Sequence, residues 1–541
     1  MAAGQGVIGM IGLRSIRKSL RSTRFIVLGI LIVPLLLVVP GVNAAEQHRW
    51  GGTLIVGLAG DPSILNPDLA LISTHAIEIA NSIFDTLVAR NRNWEIVPRL
   101  ARWDVSSDAK IYTFHLDKRA KWHDGHALTS ADVKWTFDAI IKFKGWGIDF
   151  LKDVDKLEAP DDYTVRVLLK KPNAGFLSGV AENGLSILPK HLYEGTDWDK
   201  NPYNLRPVGS GPFRFVTYVK GSHVELEANK EYFAGRPYID RLVFRVVPDP
   251  AVAVRQIEGG ELDLSTQYAP FGDVPRLRKS QRVRILDYTY PVIQWLGFRV
   301  DRPPFNDARL RQAVTYAVNR VELNDKCNNG VGIPSKHLYL EGHWATDPSV
   351  RLPEYAPDKA LQALAQAGYT GAKKLQTTLL VYQGYGAPEC AQVIRDQLRR
   401  VGIDVTLEAL EWDTYVEKGY TRKEFALIYG SGFEGPDPVM IQSFVGTGGS
   451  QNPMNYSNPQ VDTLFDKAQA VADEKQRARY YSEIEAILSS DLPRIPLHDR
   501  KVVFPASPKF KDFWQESTPG GVMQAERSYE RVWWVNGRLE P

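Results

Sequence analysis

Two cysteines in 541 residues exclude a disulfide-framed scaffold, and Cys327 and Cys390 have the spacing of neither a metal ligand set nor a redox pair. In an oxidising compartment they can bond to each other, and elsewhere they stay as thiols; the sequence leaves both open. No GxSxG, HExxH, CxxC or Walker loop occurs, so no motif nominates an enzyme. Gly4-Gln-Gly6-Val-Ile-Gly9 spells GxGxxG, but no strand precedes it and it carries no nucleotide reading. Internal repeats and low-complexity tracts are absent too. At this length one core does not suffice, and two or three domains are expected.

Basic charge is concentrated at the start. Arg14, Arg17, Lys18, Arg21 and Arg24 precede the apolar run Phe25–Pro40, and Val42-Asn43-Ala44 supplies small residues for cleavage. Residues 1–44 therefore read as a secretory signal. An uncleaved anchor is the alternative, but the run is short for a membrane span and holds two prolines. No cysteine lies near the cleavage site, so no lipid anchor is expected there. The leader takes five of the 66 basic residues and none of the 63 acidic ones. The remainder is slightly acidic, and no basic stripe argues for nucleic acid.

The organising stretch is Leu375–Met440. Strand-like Gln376–Tyr382 is followed by Ala387–Val401, which puts Val393, Ile394, Leu398 and Val401 on one helical face. Ile403–Leu410 alternates, Trp412–Tyr420 suits a turn or two of helix, and Phe425–Tyr429 is strand-like again. This alternation predicts a parallel sheet with crossover helices, and ligands gather at the carboxyl ends of such strands. The rule nominates Tyr382–Gly386, Glu411–Tyr415 and Gly430–Pro438, which hold glycine, aromatics and acids but no Lys or Arg. They suggest a cleft for a small solute with a cationic or polar end. Elsewhere, Thr129 and Asp132 form a capping box opening a helix to Phe143, Phe213–Val219 with Val224–Ala228 reads as a hairpin, and Asn306–Arg320 reads as a helix with Leu310, Ala313, Val314 and Ala317 inward. His123-Asp124-Gly125-His126 has the look of a metal cluster, but as a turn between strand and helix it reads as structural. Neither metal nor cofactor is expected.

Several segments, in order, resemble the dipeptide- and oligopeptide-type solute-binding proteins of bacterial ABC importers (extracellular solute-binding family 5). They are GGTLIVGLAGDPSILNPDL, FHLDKRAKWHDGHALTSADVKWTFDAI, GSGPFRFVTYVKGSHVELEANKEYF, GELDL, DRPPFNDARLRQAVTYAVNR, APDKALQALAQAGY and NYSNPQVDTLFDKA. The resemblance implies an α/β, two-lobed periplasmic binding protein of type II, with the extra subdomain of the peptide-binding group. On that reading lobe I spans 45–296, with subdomains 45–85 plus 205–296 and 86–204. Lobe II spans 297–494, and residues 495–541 return to lobe I.

The resemblance further implies a non-enzymatic, monomeric receptor in the periplasm. It captures a small solute, a peptide first of all, by hinge closure and hands it to an inner-membrane permease. Opine-like conjugates, oligosaccharides and nickel chelates are the alternatives, and a secreted hydrolase is the remaining class. In the family's peptide binders an acid after a lobe-II strand holds the ligand ammonium; Glu434 matches it, with Asp437 as the second candidate. Trp412 matches a tryptophan of the oligopeptide pocket. The arginine that holds a dipeptide carboxylate has no counterpart in Val381–Tyr385. Tyr382, Gln383 and Tyr385 are left to make neutral contacts there.

Overall fold

The computed structural model describes residues 49–69, 74–91, 95–145, 147–181, 185–340, 343–371, 373–384, 386–435, 437–513 and 529–536. The leader read at 1–44 lies outside them. Two long antiparallel strands, Arg284–Phe298 and Arg494–Ala506, lie side by side in the middle of an 11-stranded sheet and join its halves. Their register shifts twice, between Thr289 and Ile293 and between Gln294 and Trp295. Such irregularities bend a strand pair and raise its twist. The halves on either side serve different cores, and the result is a two-lobed α/β fold.

In the first lobe, Thr53–Leu58 pairs in parallel with Arg241–Val246 and with Leu264–Ser265. The hairpin Phe213–Val219/His223–Ala228 completes the outer edge. Leu54, Val56, Leu226, Leu242 and Phe244 pack in one core with Val502 and Phe504, which the C-terminal segment brings back. A separate four-stranded antiparallel sheet, Ala101–Val105, Ile111–Leu116, Thr164–Leu169 and Val154–Asp161 in spatial order, has its own core. The helix Ser130–Phe143 contributes Val133, Phe137 and Ile140 to it. The capping box forms, with the Thr129 N–H donating to Asp132 Oδ2 at 2.9 Å.

In the second lobe, Leu375–Tyr382 lies between Ile403–Leu410 and Leu427–Phe433, parallel to both. The helix Ala387–Arg400 buries Ala391, Ile394 and Leu398 beneath them. Two details depart from the sequence expectation. The third strand continues through Gly430-Ser-Gly-Phe433, read as loop, because it pairs antiparallel with Val292–Phe298. Gly430 and Gly432 permit this, since a Cβ at either position would collide with the ring of Trp295 or Phe444. The helix expected over Asn306–Arg320 ends at Ala317, and a second helix, Arg320–Asn328, starts beyond Asn319. There the Asn319 side chain accepts the Glu322 N–H, while its backbone exchanges hydrogen bonds with the Gln397 amide. Cys327 and Cys390 are bonded to each other, tying this second helix to the first turn of Ala387–Arg400. No helix among the described residues is long and apolar enough to cross a membrane.

Candidate functional site

Where the two long strands pass from one core to the other, a cavity of about 660 Å³ opens between the lobes. That volume lies within the range of small-molecule clefts. The first lobe contributes His75 and Glu78, on the helix Thr74–Ile83, and the loop Thr266–Phe271. The second lobe contributes Asn328, Gly386 and Tyr429, and the joining strand Arg284–Phe298 contributes Gln294. The return strand supplies His498, Arg500 and Lys501.

The charge of this cavity is the reverse of the one expected from the strand-end loops. Arg500 and Lys501 face it, and the Arg500 guanidinium lies 4.9 Å from the centre of the Tyr268 ring. Its one lining carboxylate among the described residues, Glu78, already accepts the Tyr529 hydroxyl at 2.5 Å. Burial lowers the pKa of His75, and burial aided by Arg500 brings His498 down to about 4, so both imidazoles are neutral at pH 7. The Asn328 amide donates to His498 Nε2 at 2.8 Å, which puts the imidazole proton on Nδ1. That nitrogen is buried and has no partner. Two cations and an unsatisfied donor suit an anionic or acceptor-rich group, such as a carboxylate.

The residues expected to bind ligand are dispersed. Glu434 is buried at the end of its strand, with Oε1 2.5 Å from Arg494. Arg494 is held between the rings of Trp295 and Phe444. Burial raises the Glu434 pKa, and the Arg494 charge opposes that rise. Its Oε2 has no partner; Glu434 is not among the residues lining the large cavity but borders a separate void of about 10 Å³, room for one water, with Tyr339, Leu340 and His343. Asp437 stands differently: it accepts the Val439 N–H as a helix cap and receives Arg477 Nη2 at 2.7 and 2.8 Å on its two oxygens. Its carboxylate is engaged internally, where the sequence reading offered it as a ligand contact.

Tyr382 is buried under the cavity wall and touches Gln294 through its hydroxyl at 3.4 Å. Trp412 is 53% exposed, set edge-on to Tyr382 and stacked on Tyr415, and is not among the residues lining the cavity. Gln383 is exposed and extends the sheet by donating its N–H to Leu410. Tyr385 lies outside the described residues. His123 turns inward, donating to the Gly211 carbonyl from Nε2 and accepting the Gly209 N–H on Nδ1. Sequence reasoning missed Arg500, Lys501 and His498. The one available signal was the run of four polar residues, His498–Lys501, interrupting the largely apolar stretch Arg494–Phe504.

Residues 95–452 match the family model for bacterial extracellular solute-binding proteins, family 5 (middle region). The chain belongs to that family. A protein of Brucella ovis named for ABC transporter peptide binding is 30% identical over 89% of this chain and 94% of its own length. Among solved structures, the ABC transporter substrate-binding protein CtaP of Listeria monocytogenes superposes with a TM-score of 0.81 at 25% identity, covering 90% of this chain and 100% of its own. The binding protein AgaA of A. tumefaciens R10, in complex with agropinic acid, does so with a TM-score of 0.72 at 26% identity over 91% of this chain and 100% of its own. The family is one of solute-binding proteins of ABC transporters, not an enzyme family, and this chain is accordingly a solute-binding component of such a system.

Proposed function

We propose that this protein captures a small carboxylate-bearing solute, a short peptide in the first instance, in the periplasm and delivers it as a monomer to an inner-membrane permease. The observation that carries the ligand chemistry is the joint presence of Arg500, Lys501 and the unpartnered His498 Nδ1–H around one inter-lobe cavity. A charged hydrogen bond of this kind contributes about 1.5–3 kcal/mol. The peptide class draws on the Brucella relative. The lobes would be residues 45–296 with 495–541, and 297–494, moving about the paired strands Arg284–Phe298 and Arg494–Ala506. On this reading Glu434 uses its unsatisfied Oε2 for the ligand ammonium, with Tyr382 shaping the wall from behind.

A second reading keeps the carboxylate and drops the ammonium: an opine-like amino-acid conjugate. It is favoured by the commitment of Glu434 Oε1 to Arg494, and by the agropinic acid held in AgaA. A thermal-shift panel on refolded, ligand-free protein separates the two. A ligand at about 100 times its Kd adds about 2.7 kcal/mol, a readable shift. Free peptides active and N-acetylated peptides silent support the first reading; acidic conjugates alone active support the second. Amidation of the carboxylate abolishes the shift in either case, and a shift that survives amidation overturns the proposed ligand chemistry.

A further inference from the structure

We infer that Asp124, His126 and His191 form a binding site for a divalent transition-metal ion of the zinc, nickel or copper class, on the first lobe and apart from the ligand cavity. The three side chains come from two elements far apart in sequence: the turn following Ile111–Leu116, and the short helix Lys190–Tyr193. Their ligating atoms all lie within 4.8 Å of one another. Asp124 already spans the two imidazoles, with Oδ1 3.1 Å from His126 Nδ1 and Oδ2 2.7 Å from His191 Nε2. The imidazole rings face each other at 4.3 Å between centroids.

Those separations are close to what one ion requires. With metal–ligand bonds of ~2.1 Å, donor atoms around a tetrahedral ion sit ~3.4 Å apart. The two contacts to Asp124, 3.1 and 2.7 Å on its two different oxygens, lie inside that spacing, and rotations of the exposed side chains would open them around an ion. Two imidazole nitrogens and a carboxylate oxygen suit zinc, nickel or copper and not magnesium, which takes oxygen ligands in octahedral geometry. A metal-bound imidazole keeps its proton on the other ring nitrogen, so binding would turn Nδ1 of His126 and Nε2 of His191 from hydrogen-bond donors into ligands. The Asp124 carboxylate would supply the anionic ligand. Waters would fill the remaining positions, since part of each side chain is open to solvent.

The backbone under the site is already fixed. Gly125 occupies the left-handed region at φ 96°, and the Trp122 N–H donates to the His126 carbonyl, closing the turn. Trp122 packs in the core of the four-stranded sheet, whereas Tyr193, two residues beyond His191, packs in the core of the large sheet. An ion held here would fasten one core of the first lobe to the other.

The test is isothermal titration of tag-free wild-type protein with Zn²⁺, and with Mg²⁺ in parallel, against His126→Gln, His191→Gln and the double variant. The expected result is one zinc per chain, no magnesium uptake, a loss of at least about tenfold in affinity for each single variant, and no binding at this site in the double variant. Zinc should also raise the thermal midpoint of the wild type but not of the double variant, whose unchanged near-UV circular dichroism would show that it folds. Absence of zinc binding by the wild type overturns the inference. So does zinc uptake of equal affinity in the double variant, which would move the site to other histidines.

Discussion

Glu434 and Asp437 stand three positions apart, both are buried, and each meets an arginine that arrives from a distant helix or strand. They differ in completeness. Asp437 has both oxygens bound by Arg477 and caps a helical turn as well. Glu434 has one oxygen bound and one without a partner, and Nε and Nη2 of its Arg494 are equally unsatisfied. A buried charge is tolerated when its hydrogen-bonding capacity is filled; a half-filled pair is costly. Identity and burial do not separate these two carboxylates, whereas the count of satisfied lone pairs does.

Several substitutions would break or sharpen this contrast. Arg477→Ala should have the largest effect, destabilising the fold by about 3–5 kcal/mol because Asp437 is left buried without its partner. Chemical denaturation measures it, and a loss below about 1 kcal/mol would remove Asp437 from the structural side. A third buried carboxylate, Glu485, accepts the Leu338 and Asp347 N–H groups and has its pKa pushed up to about 7, burial outweighing those bonds. The folded protein thus holds that proton more tightly than the unfolded chain, whose pKa is near 4.5. The contribution is full below about pH 4.5 and declines as pH rises towards 7, by about 3 kcal/mol in total. Melting temperatures from pH 5 to 8 should fall less steeply in Glu485→Gln than in the wild type, and parallel curves would contradict this.

Glu434→Gln should weaken an ammonium-bearing ligand by about 1.5–3 kcal/mol. An unchanged Kd would assign Glu434 to the same structural class as Asp437. Arg500→Gln should weaken a carboxylate-bearing ligand over a similar range of about 1.5–3 kcal/mol while sparing its amide, which calorimetry on the matched pair resolves. Trp412→Ala should do least, within about 1 kcal/mol in both stability and affinity, because the ring is 53% exposed.

Lobe II was legible because its signals are local. The apolar faces of Leu375–Tyr382 and Ala387–Arg400 and the alternation of Ile403–Leu410 need only a short window. The Gly430–Phe433 strand was not legible, because glycine there answers the bulk of Trp295, remote in sequence, and of Phe444. The candidate site was legible at one point only. Among the described residues of the strand-end loops Gly386 lines the cavity, whereas Tyr382 and Glu434 do not, and the charge of the cavity comes from residues 498–501, whose place depends on a pairing with Thr289–Gln294 that no local pattern encodes. The break at Asn319 was missed for a related reason, since the amide of Gln397 helps to hold it.

The strand Arg494–Ala506 lies inside the sheet, flanked by Arg284–Phe298 on one side and Leu264–Ser265 on the other. A ribosome delivers residue 506 long after the first-lobe strands that it completes. Until then the first-lobe sheet lacks an interior strand, and Leu54, Leu226 and Phe244 lack Val502 and Phe504 as packing partners. These strands therefore cannot reach their final packing until the return strand has been made. The lobe stays threadable until then.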